Sequence, residues 1–442
     1  MERLHTIWHP CTQMKDHETY PLISIEKSQG IYLYDAQGNS YMDAISSWWV
    51  NLFGHANPRL IKAVHEQFER LEQVIFAGFT HQPAVRLAET LLAVTPEPLS
   101  HVFYADNGSA AVEAAMKMSF GYFKNQGRPE KKRFVYLKHG YHGETLGALS
   151  VCGDDLFTSL YNEIMVENIQ VQGPDCYRCP YGRTRQACDL ECFAPMAQTL
   201  EERHGEIAAV IVEPMVQCAG GFKIYPAEYL RRLRRATQRQ DVLLILDEIA
   251  VGFGRTGPMF AAEHAGICGD LVCVSKGITS GTLPLSAVLT TDSVYDCFYH
   301  DFSARKAFLH SHSYTGNALA CAAGVETMRI FKEEDVLRAN VPKYELLQKT
   351  VRDRFQGAPH VGEVRMLGWI CAVELVKDPV SKEPLDWTQR TGFRIYQEAL
   401  KRGALLRCLG DVIYFMPPYV ITEEEIVRLV DIAFASMREV LP

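Results

Sequence analysis

The sequence predicts an α/β fold in which helices cover both faces of a large, mostly parallel sheet, together with a smaller α+β domain. From about residue 83 onward, apolar strands alternate with amphipathic helices, the order of elements that builds a parallel sheet. The strands, among them IAAVIVEP (207–214) and DVLLILDE (241–248), are continuous apolar runs, as expected where helices bury both faces. The length of 442 residues exceeds one average domain, so a second domain is expected.

The individual elements follow in chain order. Residues 20–53 predict two strands joined by a turn at AQGN (36–39), and residues 57–74 predict a helix with Asn57 as its N-cap and Pro58 at its first position. Further helices are predicted over 83–94, 109–125, 193–205, 226–240 and 317–336, and strands over 101–106, 133–138, 207–214, 241–248 and 270–276. We expect a small domain formed by residues 1–70 and 326–442, and a large domain formed by residues 71–325.

Composition and charge argue against several classes of protein. Hydrophobic residues at 47% and charged residues at 22% are typical of an ordinary soluble enzyme. The net charge of −8 gives no support to a nucleic-acid or membrane partner, and the one basic run, RRLRR (231–235), is expected on the outer face of a helix packed through Tyr229, Leu230, Leu233 and Ala236. No stretch approaches 18 apolar residues, and MERLHTIWHPC has no apolar leader. A cytoplasmic protein with thirteen reduced cysteines is therefore expected.

An amine and a carboxylate stand at the ends of two apolar strands. Lys276 closes DLVCVSK (270–276), just before the Gly-rich stretch GITSGTLPLSAV, and Asp247 ends the apolar run of DVLLILDE. The carboxyl ends of parallel strands are where active sites of such sheets lie. A pyridoxal phosphate enzyme needs this pair, the amine for a Schiff base and the carboxylate to keep the pyridine nitrogen protonated. The alternative is that Lys276 and Asp247 are solvated residues at strand ends and have no function.

Two loops after strands offer binding groups. Asn107, Gly108 and Ser109 lie between a strand and a helix, where free amides and the positive end of the helix dipole suit a phosphate; a plain N-cap would have the same sequence. In KHGYHGET, glycines flank Tyr141 and His142, and an aromatic ring there could stack on a planar cofactor. A surface turn is the alternative reading of that loop.

Two more segments carry candidate polar contacts. HSHSYTGN (310–317) is dense in hydroxyls and imidazoles before a helix, and it suits either a phosphate contact or a turn without a ligand. EIAVGFGRTGPMF (248–260) is Gly-rich but lacks the spacing of both dinucleotide and P-loop motifs. Arg255 in this loop could bind a substrate carboxylate, because a guanidinium matches a carboxylate bidentately.

Together these motifs resemble the class III pyridoxal phosphate aminotransferases over nearly the whole chain. The resemblance rests on Glu213-Pro214, Asp247-Glu248 with GFGRTG, Lys276-Gly277 and Thr315-Gly316-Asn317. Within the class, the chain resembles the members that aminate 8-amino-7-oxononanoate in biotin biosynthesis. That narrower similarity is carried by IWHP (7–10), SSWW (46–49), NGS (107–109), GYHG (140–143), FGRTG (253–257) and YFMPPY (414–419).

The resemblance implies a fold type I enzyme with pyridoxal 5'-phosphate as cofactor and S-adenosylmethionine as amino donor. It also implies a homodimer with active sites at the interface. Lys276 would form the Schiff base and act as general base, Asp247 would pair with the pyridine nitrogen, and Tyr141 would stack over the ring. The remaining cofactor contacts implied are Gly108 and Ser109 at the phosphate, with His312 and Ser313 reaching the phosphate of the opposite subunit.

On the substrate side, the resemblance implies a pocket lined by Trp48, Tyr141, Lys276, Ser311, Arg407 and Tyr414, with Arg255 and Cys11 as further candidates. Arg407 would take the carboxylate of the keto acid. Cys11 stands after WHP where members of the family carry a tyrosine, and Ser313 stands where threonine is frequent. The loss of an aromatic hydroxyl at Cys11 leaves lysine open as the alternative amino donor, while Trp48, Trp49 and Tyr414 favour S-adenosylmethionine.

A cysteine-rich segment leaves other functions open. Cys176, Cys179, Cys188 and Cys192 form a CxxC followed by a CxxxC, which could hold zinc although the gap between the pairs is shorter than usual. We expect no metal and keep these four cysteines as the weak candidate. Another class III ω-aminotransferase, and a non-catalytic zinc-binding scaffold, remain the alternative functions.

Overall fold

The structure, a computed structural model, describes residues 6–442. Residues 1–5, part of the segment in which the sequence predicts no apolar leader, lie outside the described residues. The strands are β1 (Ile25–Gln29), β2 (Tyr32–Asp35), β3 (Ser40–Asp43), β4 (Leu99–Ala105), β5 (Arg133–Leu137), β6 (Ile169–Val171), β7 (Ile207–Val212), β8 (Val216–Gln217), β9 (Lys223–Ile224), β10 (Leu243–Asp247), β11 (Leu271–Val274), β12 (Ser286–Thr291), β13 (Val361–Leu367), β14 (Ile370–Leu375), β15 (Ala404–Leu405) and β16 (Val412–Phe415).

The helices lie between these strands, largely where the sequence predicts them. They are α1 (Ser46–Trp49, a single turn), α2 (Pro58–Phe68), α3 (Gln82–Leu92), α4 (Gly108–Asn125), α5 (Leu146–Leu149), α6 (Asp155–Thr158), α7 (Ala194–Arg203), α8 (Ala227–Arg239), α9 (Asp292–Asp296), α10 (Ala318–Glu333), α11 (Val336–Ala339), α12 (Val341–Phe355), α13 (Thr391–Lys401) and α14 (Glu423–Val440). No helix in the described range is both long enough and apolar enough to cross a membrane.

The large sheet has seven strands in the order β4-β12-β11-β10-β7-β5-β6. Strands β11, β10, β7, β5 and β6 are parallel, whereas β12 runs antiparallel to both of its neighbours, β4 and β11. Every residue of β7, β10 and β11 is buried, as continuous apolar strands require. The predicted α/β fold with a mostly parallel sheet is confirmed, and β12 is a strand that the sequence analysis missed.

The N-terminal strands pair with the C-terminal part of the chain. A four-stranded sheet has the order β1-β2-β3-β15, in which β15 runs parallel to β3 with Ala404 opposite Met42. The prediction of two strands over residues 20–53 was wrong, because Gly30 with φ 59° breaks the first segment into the hairpin of β1 and β2. The domain boundaries near residues 70 and 325 stay predictions.

Two helix predictions are refined by the structure. The Asn57 side chain accepts hydrogen bonds from the first turn of α2, as expected for the N-cap, but α2 ends at Phe68 rather than continuing to residue 74. The predicted inward face of α8 is buried. On its outer side, Arg234 forms a two-pronged ion pair with Asp270 at 2.8 and 3.0 Å, so part of the basic run is used within the chain.

Candidate active site

Asp247 and Lys276 lie at the carboxyl edge of the parallel strands. Asp247 is the last residue of β10 and is 3% exposed, and its Oδ1 accepts a hydrogen bond from Ile249 N at 3.0 Å. Lys276 does not end a strand as the sequence predicts. β11 stops at Val274, and Lys276 opens a short 3-10 turn, Lys276–Thr279, with φ 30°. The strand pairing places this turn beside the end of β10.

The amine of Lys276 is buried, and the carboxylates of Asp247 and Glu213 are close enough to act on it. Its Nζ lies 4.7 Å from the centre of the Trp49 ring. Burial lowers the pKa of the Lys276 amine, and the negative charge of Asp247 opposes that shift. The backbone next to it is tightly fitted, because a Cβ on Gly277 would lie 2.9 Å from Phe253 Cβ. An amine with a lowered pKa more readily takes the neutral form that a nucleophile or base requires.

His142 is a site residue to which the sequence analysis gave no role. Its Nδ1 lies 2.7 Å from Asp247 Oδ2, and its ring is almost completely buried. The short contact fixes the Asp247 carboxylate, which leaves its orientation little freedom. The signal in the sequence was the position of His142 beside Tyr141 in GYHG, but which strand end it would reach could not be read from that loop.

The start of α4 forms a cradle suited to an anion. Asn107 is the N-cap, and its side chain accepts from Ala110 N at 3.0 Å. The amides of Gly108 and Ser109 have no acceptor among residues 6–442. A Cβ on Gly143 would lie 2.2 Å from Ser109 Oγ, so only glycine allows the Tyr141 loop to pack this closely on the helix start.

Tyr141 is anchored through its backbone and its hydroxyl. Its N–H donates to Glu213 Oε2 at 3.0 Å, and its hydroxyl donates to Glu144 Oε1 at 2.9 Å. Glu213 is buried and also accepts from Cys218 N at 2.9 Å. Burial raises the pKa of Glu213 to about 7. Glu213, part of the Glu213-Pro214 motif, therefore anchors the backbone of the residue that carries the Tyr141 ring.

Four of the predicted substrate residues lie together at the opening, or mouth, of the candidate site. The guanidinium of Arg407 lies 4.8 Å from the centre of the Trp48 ring and donates to Cys11 O at 3.1 Å. Cys11 Sγ lies 3.9 Å from Glu144 Oε1, the oxygen that also accepts from Tyr141. The structure thus brings together Cys11, Trp48, Tyr141 and Arg407, which are far apart in sequence. Desolvation and the neighbouring Glu144 raise the pKa of the Cys11 thiol.

Tyr414 and Arg255, both predicted to contact substrate, are almost fully buried. Tyr414 is 1% exposed on β16, with its ring 4.5 Å from Phe222. Arg255 is 1% exposed and donates to the carbonyl oxygens of Pro417, Trp49 and Asn51 at 2.9 to 3.2 Å. The prediction of Arg255 as a substrate-carboxylate contact is not supported, because its terminal nitrogens are taken up by the backbone. Arg255 instead braces the segment that carries Trp49.

The predicted loop at residues 311–313 lies apart from these groups within one chain. Ser311 and Ser313 are exposed, and the Ser313 carbonyl accepts from Gln73 Nε2 at 3.1 Å. His312 N donates to Thr315 Oγ1 at 2.9 Å. No hydrogen bond within residues 6–442 joins this loop to Lys276, Asp247 or Ser109. A role for Ser311, His312 and Ser313 in the opposite subunit stays a prediction.

The cysteine-rich segment does not form an assembled metal centre. Across the described part of the chain, no three His, Cys, Asp or Glu side chains are gathered as metal ligands. Cys176, Cys179, Cys188 and Cys192 are free and partly exposed. Whether this segment binds zinc stays a prediction.

Comparison with known proteins assigns the class to which this fold and site belong. The model of the family "Aminotransferase class-III" matches residues 13–436. The chain belongs to the class III aminotransferases, as the motifs around Lys276 predict.

Two similar relatives and one solved structure carry the same name. The chain is 43% identical over 431 residues to the adenosylmethionine-8-amino-7-oxononanoate aminotransferase of Geobacter sulfurreducens, covering 97% of this chain and 95% of the relative. It is 42% identical to the enzyme of that name from Helicobacter pylori, with 99% and 96% covered. The crystal structure of the Methanocaldococcus jannaschii enzyme superposes with a TM-score of 0.94 at 37% identity, covering 99% of this chain and 98% of the other.

A second solved structure bears on the cofactor. The omega transaminase from Pseudomonas jessenii in complex with PMP matches with a TM-score of 0.94 and 32% identity, covering 99% of this chain and 97% of the other. The residues present here fit pyridoxal 5'-phosphate. Lys276 offers the amine, Asp247 a buried carboxylate, and Gly108 and Ser109 free amides for the phosphate.

Proposed function

We propose that this chain transfers an amino group from S-adenosylmethionine to 8-amino-7-oxononanoate, giving 7,8-diaminononanoate for biotin biosynthesis. The observation that carries the proposal is one site in which the buried amine of Lys276 and the carboxylate of Asp247 lie behind a mouth formed by Trp48 and Arg407. The relatives from Geobacter sulfurreducens and Helicobacter pylori support the choice of substrates.

Different residues of the chain have separate roles in the proposed reaction. Bound pyridoxal 5'-phosphate supplies an electron-accepting ring that makes a proton on the substrate's α-carbon removable. Lys276 would hold the cofactor through its amine, and its Nζ would take and return that proton. Asp247, whose carboxylate is fixed by His142, would keep the pyridine nitrogen protonated. Gly108 and Ser109 would hold the phosphate through their amides, and Tyr141 would cover the ring.

We also propose that the functional unit is a homodimer. A single chain exposes large apolar side chains in three segments, among them Ile75 and Phe79, Leu156 and Leu160, and Leu309 and Tyr314. The last pair flanks the loop that carries Ser311, His312 and Ser313. A second copy covering these side chains would bury apolar surface and bring that loop to the partner's site, and the interior of this dimer would hold both active sites.

The amino donor is tested in a half-reaction. The cofactor-loaded enzyme is mixed with S-adenosylmethionine or with lysine, without an acceptor, and loss of the visible absorption of the bound cofactor is followed. We expect only S-adenosylmethionine to bleach the band. One observation favours lysine as the amino donor. Cys11 places a thiol, rather than an aromatic hydroxyl, next to Glu144. Bleaching by lysine alone would reverse the choice of donor, and bleaching by neither would exclude both.

Arg407→Ala tests the carboxylate site. Loss of a charge-assisted hydrogen bond to the keto acid is worth about 1.5–3 kcal/mol, so we expect its KM to rise about 10- to 100-fold. The KM for the donor should change much less. Arg338→Ala removes a guanidinium with 86% of its side chain exposed, paired only with the neighbouring Asp335, and serves as the matched control. Equal increases in both KM values would show that the carboxylate binds elsewhere.

A further inference from the structure

A left-handed turn carries two tryptophans of the candidate active site. Residues 46–49 have φ values of 52°, 46°, 74° and 72°. Side chains with a Cβ adopt this region only at an energetic cost. The turn is closed by hydrogen bonds from Trp49 N to Ile45 O at 2.7 Å and from Val50 N to Ser46 O at 3.0 Å. Four consecutive residues without glycine remain in this conformation only where their surroundings over-determine it.

One buried carboxylate ties this turn down. Asp43, the last residue of β3, has a side chain with no exposed surface. Its Oδ2 accepts from Ser47 Oγ at 2.7 Å and lies 2.9 Å from His55 Nε2, and its Oδ1 accepts from Ile45 N at 3.2 Å. His55 Nδ1 in turn lies 3.2 Å from Asn51 Nδ2. Asp43 therefore holds the turn in three places. It binds Ile45 just before the turn and Ser47 within it, and it reaches Asn51 just after the turn through His55.

A second set of contacts joins the turn to the segment of the catalytic lysine. Ser280 directly follows the 3-10 turn that begins at Lys276, and its Oγ accepts from Leu52 N at 3.1 Å and Phe53 N at 3.0 Å. Ser46 Oγ donates to Met416 O at 2.7 Å, next to β16. The position of the turn relative to Lys276 is thus set by hydrogen bonds on both sides.

The side chains that the turn presents are those of the site. Trp48 lies against the Arg407 guanidinium, and Trp49 lies under the Lys276 amine. Any rotation of the turn moves both rings. We propose that Asp43, acting through Ser47 and His55, is a positioning residue that orients Trp48 and thereby sets the binding site for the substrate carboxylate. This inference rests on the proposed function for the identity of that substrate.

Asp43→Asn tests the proposal because it keeps the size of the side chain but removes its charge and one acceptor. In the full-length, cofactor-loaded enzyme without substrate, we expect amide hydrogen exchange in residues 44–52 to become about tenfold faster, as for the loss of one hydrogen bond to a charged group. In steady state, the KM for 8-amino-7-oxononanoate should rise about tenfold while kcat changes less than about threefold, since binding and not chemistry is altered.

Two further serine variants separate positioning from a loss of folding. Ser47→Ala removes a single hydroxyl and should shift exchange and KM in the same direction by a smaller factor; it carries the test should Asp43→Asn fail to fold. Ser24→Ala removes an exposed hydroxyl that makes no hydrogen bond to any described residue, and should change neither.

Three results would overturn the proposal. They are unchanged exchange in residues 44–52, a fall in kcat with an unchanged KM, and an equal rise in KM for the donor and the keto acid. If the wild-type enzyme turns over neither substrate, the proposed function fails. The exchange measurement then decides by itself whether Asp43 holds the turn.

Discussion

Replacing Lys276 with alanine is expected to abolish transamination, with kcat reduced by more than about 10⁴-fold, because the proposed function uses this one amine both as covalent anchor and as general base. The visible absorption band of the bound cofactor should disappear with it. The physical basis is the position of Nζ, 4.7 Å from the Trp49 ring, and the lowering of its pKa by burial. Steady-state turnover and the absorption spectrum of the purified variant measure the two effects.

The matched control for this experiment is Lys62→Ala. The Lys62 side chain is 75% exposed and its nearest acidic partner is Glu66 at 3.8 Å, so its removal should leave both turnover and spectrum unchanged. A small primary amine added to Lys276→Ala should restore part of the proton transfer if the lysine acts as a base. Wild-type turnover by Lys276→Ala would remove the basis for placing the chemistry at this residue.

Much of the large sheet could be predicted because its strands leave a clear signal. Strands such as β7 and β10 are continuous apolar runs, and the burial of every residue follows from helices on both faces. Strand β12 was missed because Ser286–Thr291 begins within the Gly-rich stretch GITSGTLPLSAV and contains Ser and Thr. The same stretch hides the 3-10 turn that carries Lys276 beyond the end of β11.

The site could be predicted as a set of residue types but not as a set of contacts. Tyr141 and Asp247 were placed by their motifs, whereas the approach of His142 to Asp247 depends on a loop and a strand end 105 residues apart. Arg255 sits in a Gly-rich loop that reads as accessible, yet Pro417 O and Asn51 O from distant segments bury its guanidinium. Nothing local in SSWW indicates positive φ, because that turn is held by partners elsewhere in the fold.

Asp247→Asn is the variant with the next largest expected effect. The substitution keeps the size of the side chain but removes the charge that, in the proposed function, holds a proton on the pyridine nitrogen. It also disturbs the 2.7 Å contact with His142. Removing one preorganised group that stabilises charge in the transition state costs about 2.7–4 kcal/mol, so we expect kcat to fall about 10²- to 10³-fold. Steady-state kinetics at saturating cofactor would measure this loss.

Asp270→Asn separates that chemical effect from a loss of structure. Asp270 lies just before β11, at the other edge of the same sheet, where it pairs with Arg234 and accepts from Leu244 N at 2.8 Å. Its replacement should lower the free energy of unfolding while kcat stays within about threefold of wild type, because it is remote from the reacting atoms. Asp247→Asn should show the reverse pattern. If both variants lost stability and turnover in parallel, Asp247 would be a structural carboxylate. The pyridine nitrogen would then need another buried acid as its partner. Glu213, whose pKa is raised to about 7, lies next to the site.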